Sequence, residues 1–415
     1  MTTTRLPFAP ELLRELAQRH GTPLWVYNAP TIRARIESLR AFDTIRFAQK
    51  ANSNIHLLRM MRELGVAVDA VSLGEIARAL AAGYAPGDVV FTADVFDRAT
   101  LDTVVGSAIP VNAGSIDMLG QLGERSPGHR VWLRINPGFG HGHSNKTNTG
   151  GEHSKHGIWH TDLPAALAAV RRHRLQLVGL HIHIGSGVDY AHLEQVCRAM
   201  VDLASSVDAP IEAISAGGGL SIPYRAGGAR IDTAAYFASW DAARRELAAK
   251  LGRTIRLEIE PGRYLVAEAG ALLAEVRAVK DQGRNHFVLV DAGFGDLMRP
   301  AMYGSHHDLT VVSEAGPAGL PRPTVVAGPL CESGDVFTQA EGGVVQTRDL
   351  PPARVGDLIA FHDAGAYGAS MSSNYNSRPL IPEVLVDGGA SRLIRRRQTI
   401  EELLALEGPG IDAAG

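Results

Sequence analysis

A few short stretches carry residue types and spacings that could do chemistry. Lys50, in RFAQKAN, sits between the small residues Ala48 and Ala51 near the end of a strand-like run. A lysine in a buried strand needs a partner or a task. Desolvated, its amine can form a Schiff base with an aldehyde; an ion pair to Asp69 or Glu260 is the alternative, and Lys50 alone leaves both open. In AISAGGGLSIPY, Gly217, Gly218 and Gly219 follow an apolar run. Backbone N–H groups without a Cβ can approach a phosphate there, although three glycines also make an ordinary loop. Ser186 in HIHIGSG and Arg263 in EPGRYLV would add donors. The H-x-H alternation points His181 and His183 to one side. Of the two, His183 lies nearer the strand end and is better placed to stack on a ring; a histidine satisfied within the core is the plain alternative. Glu260, followed by Pro261 and Gly262, could pair with a pyridinium nitrogen. Lysine, phosphate cup, carboxylate and histidine together point to pyridoxal 5′-phosphate.

These residues need elements to hold them. Eight apolar, β-branched runs begin near residues 45, 67, 89, 109, 131, 175, 211 and 255, and segments with helical spacing lie between most of them. The pattern predicts an α/β fold, a (β/α)8 TIM-like barrel, although doubly wound sheets alternate in the same way. A barrel gathers its reactive groups at the C-terminal ends of its strands and places phosphate after strands 7 and 8. Lys50, Asp69, Asn136, His183, Ser186, Gly217 to Gly219 and Glu260 to Arg263 all fall on that rim, which favours the phosphate reading of the glycines. Beyond about residue 275 the chain becomes strand runs punctuated by Gly, Pro and Asp, which predicts a C-terminal antiparallel β domain. The early TPLWVYN is expected to join that sheet. The expected division is a barrel over 30–274 and a β domain from 1–29 and 275–415.

At 415 residues the chain has room for both. Its 41 basic and 44 acidic residues give a net charge of −3, which offers no electrostatic case for nucleic acid or a membrane surface. No apolar run reaches the roughly 18 residues of a membrane span. Nothing at the N-terminus reads as a secretory signal, so a cytoplasmic enzyme is expected. Two cysteines are too few for a disulfide framework. Cys197 sits in a helical pattern and reads as packing, whereas Cys331 lies in a Gly-flanked loop. The polar stretch 138–159 contains His141, His143, His153 and His156, yet lacks a ligand motif with helical spacing. No metal is expected there; a functional loop over the barrel mouth is. RRRQTIEELLALE reads as a short solvated helix.

FAQKAN, DAVSLGE, GLHIHIGSG, AGGGLSIPY, EPGRYLV, CESGD and GAYGASMSSNYNSRP occur in that order. Together they resemble the diaminopimelate decarboxylase family, of the alanine racemase-like pyridoxal phosphate enzymes, over nearly the whole chain. The 138–159 stretch is similar to the proteobacterial branch, and Gly295 departs from the Asn usual there. The resemblance implies that Lys50 carries the cofactor, His183 stacks on its ring, Glu260 contacts the ring nitrogen and Asp69 completes the pocket. It also implies Ser186, Gly217, Gly218, Gly219, Pro261, Gly262 and Arg263 at the phosphate or substrate edge, with Tyr367 closing the site. Substrate is expected at Arg263, Arg299, Tyr303, Glu332 and Tyr367, with Cys331 as proton donor. The family forms homodimers whose Cys-Glu pair reaches the neighbouring barrel. The expected reaction is decarboxylation of meso-2,6-diaminopimelate to L-lysine and carbon dioxide, the last step of lysine biosynthesis. Arg299 and Tyr303 would take the distal carboxylate and Glu332 the distal ammonium. The rivals are a sibling decarboxylase acting on arginine, ornithine or carboxynorspermidine, and a non-catalytic pyridoxal phosphate carrier.

Overall fold

The computed structural model describes residues 6–140, 150–183, 185, 190–314, 316 and 319–408. The chain divides into two compact units. One comprises Arg33–Ile222 and Ala229–Leu265, the other Met1–Ile32, Pro223–Gly228 and Val266–Gly415.

In chain order the strands begin with β1 (Leu24–Asn28), β2 (Thr44–Ala48), β3 (Ala67–Ala70), β4 (Val89–Ala93) and β5 (Val111–Ala113). Next come β6 (Arg130–Asn136), β7 (Ile158–Trp159), β8 (Gln176–Ile182), β9 (Ala213–Ser215) and β10 (Arg256–Ile259). Within the first unit, parallel pairing runs from β2 through β3, β4, β5, β6, β8 and β9 to β10. The β10 to β2 ladder closes the ring, and β7 adds a short pairing to β6. All eight expected runs are barrel strands. Five of the crossover helices start at polar caps: Asn54, Ser72, Asp97, Ser115 and Asp232 each accept a first-turn N–H. A cap of this kind contributes about 1 kcal/mol.

The second unit holds β1 together with β11 (Gly270–Gln282), β12 (Asn285–Val290), β13 (Leu309–Val312), β14 (Arg322–Ala327), β15 (Arg348–Leu350), β16 (Leu358–Phe361), β17 (Glu383–Asp387) and β18 (Ala390–Arg395). β11 runs unbroken through residues 274 and 275. The sheet includes the N-terminal strand, as expected, but it is mixed rather than purely antiparallel. β1 is antiparallel to β11 and parallel to β17, and β12 is parallel to β14. Parallel partners cannot be joined by a tight hairpin, and both of these pairs are joined by long connections. Leu13 and Leu16 of the helix Pro10–His20 pack on Val26, Leu273, Ala360 and Val384. Each fully buried leucine contributes about 1.5–3 kcal/mol. Near the C-terminus, the helix Ile400–Leu404 starts on a capping box between Thr399 and Glu402.

Candidate active site

The barrel's rim is built from strand ends. Lys50 is not in a strand: β2 stops at Ala48, whose N–H donates to the Pro261 carbonyl, and Lys50 follows in the 3-10 turn Gln49–Ala51 with its side chain exposed. Among the described residues it forms no ion pair with Asp69 or Glu260. β8 stops at Ile182, one residue before His183.

Glu260 is the most elaborately held group. His181 Nε2 donates to its Oε2 at 2.7 Å, and Ser215 Oγ donates to its Oε1 at 3.2 Å. The Gly217 N–H donates in turn to Ser215 Oγ at 3.2 Å. Burial alone would raise the Glu260 carboxyl, but the charge and hydrogen bond of His181, with Arg46 and Arg134, bring it below the usual carboxylate range. Asp69 shows the reverse: burial and the charge of Glu260 push it well above that range, against a hydrogen bond from Thr92 and the charge of Lys50. Burial and neighbouring charge therefore shift the two carboxyls at this barrel end in opposite directions. Burial, then the charges of Arg134 and Lys50, drive His183 well below its ordinary value. Its neutral ring accepts the Gly218 N–H on Nδ1 at 3.1 Å, which places the proton on Nε2.

The triple-glycine turn needs its glycines. Gly217 and Gly219 have φ of +60° and +102°. A Cβ on Gly218 would stand 2.5 Å from the Glu260 carbonyl oxygen, and one on either neighbour would collide with the carbonyl oxygen of Ile182 or Gly185. Two buried polar atoms, Asp69 Oδ1 and His181 Nδ1, have no hydrogen-bond partner among the described residues. Bare backbone, an anchored carboxylate and unsatisfied polar atoms fit pyridoxal phosphate. Gly262 packs closely, its missing Cβ 3.1 Å from the Ala48 carbonyl, and Arg263 opens the one-turn helix Arg263–Val266. Ser186, His141 and His143 lie outside the described residues. His156 is engaged by Asp94, its Nδ1 2.7 Å from Oδ2, and the Gly157 N–H donates to Oδ1 at 2.8 Å.

The second unit holds the remaining expected residues. Arg299 is buried at the head of the helix Arg299–Tyr303, while Tyr303 is half-buried. Cys331 and Glu332 are exposed in a turn held by Asp335, whose Oδ2 accepts from the Leu330 N–H and Oδ1 from the Phe294 N–H, both at 2.7 Å. Asn376, itself at φ +55°, accepts the Cys331 N–H on Oδ1 at 3.0 Å. Tyr367 has φ +58°, a left-handed conformation that costs a non-glycine residue about 1 kcal/mol or more. Cys197 is buried in the helix Tyr190–Ser205, and burial pushes its thiol up to about 12.

A family model described as "Pyridoxal-dependent decarboxylase, pyridoxal binding domain" matches residues 31–267. Diaminopimelate decarboxylase of Escherichia coli (strain K12) is 65% identical over 404 residues, covering 96% of both chains. The chain belongs to the diaminopimelate decarboxylase family. A crystal structure of diaminopimelate decarboxylase superposes with a TM-score of 0.95 at 64% identity, covering 98% of each chain. The diaminopimelate decarboxylase from Helicobacter pylori complexed with L-lysine superposes at 0.87 with 30% identity, covering 96% of this chain and 100% of that one.

Within the decarboxylase family fold, sequence reasoning missed the contribution of Arg134. This buried cation acts on Asp69, Asp94, Glu260 and His183. An arginine inside the apolar run VWLRIN was its only signal. The pairing of His181 with Glu260 and the anchoring of the Cys331 turn by Asp335 were missed as well. Gly295, the departure from the branch pattern, could carry a side chain: a Cβ there would meet the Ser373 carbonyl at an ordinary 3.6 Å.

Proposed function

We propose that the chain decarboxylates meso-2,6-diaminopimelate to L-lysine and carbon dioxide, with pyridoxal phosphate as cofactor, as the last step of lysine biosynthesis. The observation that carries this reading is Glu260, clamped by His181 and Ser215 beside a glycine turn that admits no Cβ. In this reading Lys50 holds the cofactor covalently. The N–H groups of Gly217, Gly218 and Gly219, with Ser186 and Arg263, take its phosphate. Glu260 takes the ring nitrogen, and His183 lies against the ring with Asp69, Pro261 and Gly262 lining the pocket. The chemistry that bound pyridoxal phosphate supplies is a sink for the electron pair left on Cα as carbon dioxide departs. Glu260, ionised at neutral pH, keeps a proton at the ring nitrogen. Cys331 then delivers a proton from Sγ to Cα. Arg299 and Tyr303 bind the distal carboxylate, Glu332 the distal ammonium, and Tyr367 closes the site over substrate and cofactor. A diamine such as ornithine would leave the buried Arg299 unmatched.

Cys331 and Glu332, exposed in the single chain, support a homodimer in which each subunit completes its neighbour's site. A cytoplasmic setting accords with two free cysteines. The test is direct: the purified holoenzyme should release carbon dioxide from meso-diaminopimelate and accumulate L-lysine. Equal or faster release from ornithine would overturn the substrate assignment, and no release from either would overturn the reaction.

A further inference from the structure

We propose that His307 and Tyr224 are positioning residues that orient Arg299 toward the carboxylate on the far head of the substrate. The proposal rests on the reading of Arg299 given above and concerns how that arginine is made selective. Arg299 Nη1 donates to His307 Nε2 at 3.0 Å, and both side chains are buried. The other ring nitrogen of His307, Nδ1, lies 2.8 Å from the His362 carbonyl oxygen. A carbonyl only accepts, and a guanidinium only donates. The His307 proton therefore sits on Nδ1, and the Nε2 lone pair faces Arg299. His307 is thus a neutral acceptor, which orients the guanidinium without cancelling its charge as a carboxylate would. Tyr224 constrains the same group from its face: the guanidinium carbon lies 4.6 Å from the ring centroid, within range of a cation–π attraction. The Tyr224 ring also meets His307 edge-on, with centroids 5.6 Å apart and an interplanar angle of 74°. An aromatic face fixes the plane of the fork and an imidazole fixes its rotation. A guanidinium so constrained presents parallel N–H bonds to a planar carboxylate.

L-lysine retains the far head of the substrate with its carboxylate, and cadaverine is the same chain without any carboxylate. Their binding to the holoenzyme isolates what Arg299 reads. The variant His307→Asn keeps a donor for the His362 carbonyl but loses the acceptor at the Nε2 position; His307→Gln places an acceptor there. With His307→Asn, the Kd for L-lysine and the KM for meso-diaminopimelate should rise tenfold or more. The kcat should stay within about twofold, and cadaverine binding should not change. His307→Gln should recover most of the L-lysine affinity. Equal weakening of both ligands, a loss of kcat at unchanged KM, or no difference between the Asn and Gln variants would make His307 merely structural and overturn the proposal. Should the His307 variants fail to fold, Tyr224→Leu carries the same expectation of a selective loss of L-lysine binding, and an unselective loss overturns it. Arg299→Met separates the two layers. If it leaves the preference for L-lysine over cadaverine intact, the reading of Arg299 has failed. If it removes that preference and His307→Asn does not, the positioning role alone has failed.

Discussion

His181→Leu tests the electrostatic design of the barrel rim. The His181–Glu260 bond is 2.7 Å long and both side chains are buried, so the exchange removes a charge-assisted hydrogen bond worth about 1.5–3 kcal/mol. Without that bond, burial should drive the Glu260 carboxyl up from its lowered position. The sign with pH follows. In the wild type the folded-state pKa of Glu260 lies below its ordinary value. Its contribution to stability is therefore present above the ordinary carboxylate pKa and is lost as pH falls through the lower folded value. In the variant, burial acts against the ionised carboxylate, with Ser215, Arg46 and Arg134 left to offset it. Protonation on acidification relieves that penalty. Urea unfolding of the cofactor-free proteins should show a gap of about 1.5–3 kcal/mol at pH 7 that narrows as pH falls through the ordinary carboxylate range. A gap that stays constant from pH 7 to pH 3 would mean that His181 acts by packing, and the electrostatic account of Glu260 would be wrong.

Gly218→Ala should weaken pyridoxal phosphate binding about 5- to 150-fold, the equivalent of 1–3 kcal/mol of overpacking against the Glu260 carbonyl; unchanged affinity in a titration of the cofactor-free protein counts against the cradle. Lys50→Ala should remove the lysine-linked cofactor absorption, whereas a persistent borohydride-reducible linkage would reassign the role to another lysine such as Lys155. The Arg46–Glu258 pair, at 2.8 Å and nearly buried, predicts a loss of about 3–5 kcal/mol on Arg46→Met. Most of that loss should be recovered in Arg46→Met with Glu258→Leu, and urea unfolding decides it. Dissociating and reassociating an inactive Lys50→Ala protein with an inactive Cys331→Ala protein should restore about a quarter of wild-type activity if sites are shared between subunits; no recovery would place Cys331 and Lys50 of each site in one chain.

The barrel was legible because its apolar, β-branched runs recur eight times with helically spaced segments between most of them. The glycine turn was legible for a similar reason, since three glycines after a strand state a backbone requirement directly. Pairings were not. His181 and Glu260 are 79 residues apart, and His307 depends on a carbonyl 55 residues away. Such partners are set by register and loop path, which one sequence does not display. Lys50 was placed in a strand because RFAQKA reads as one apolar run. The strand ends two residues earlier, at Ala48, and the chain turns into the 3-10 turn Gln49–Ala51. The parallel neighbour of β1 was hidden likewise, since neither TPLWVYN nor EVLVDGG records the direction of its partner.

The place of β1 between β11 and β17 has a consequence for synthesis of the chain. About 240 residues separate Asn28 from Gly270, the first residue of β11. At roughly 5–20 residues per second, the ribosome needs about 12–50 s to make the first strand that can pair with β1. All the strands of the barrel emerge during that interval. Leu24, Trp25, Val26 and Tyr27, fully buried at the end, spend it without their sheet, as an apolar strand with two open edges. A nascent chain halted after the barrel should accordingly present this segment to chaperones and proteases, and one halted before Glu383 should still present its second edge.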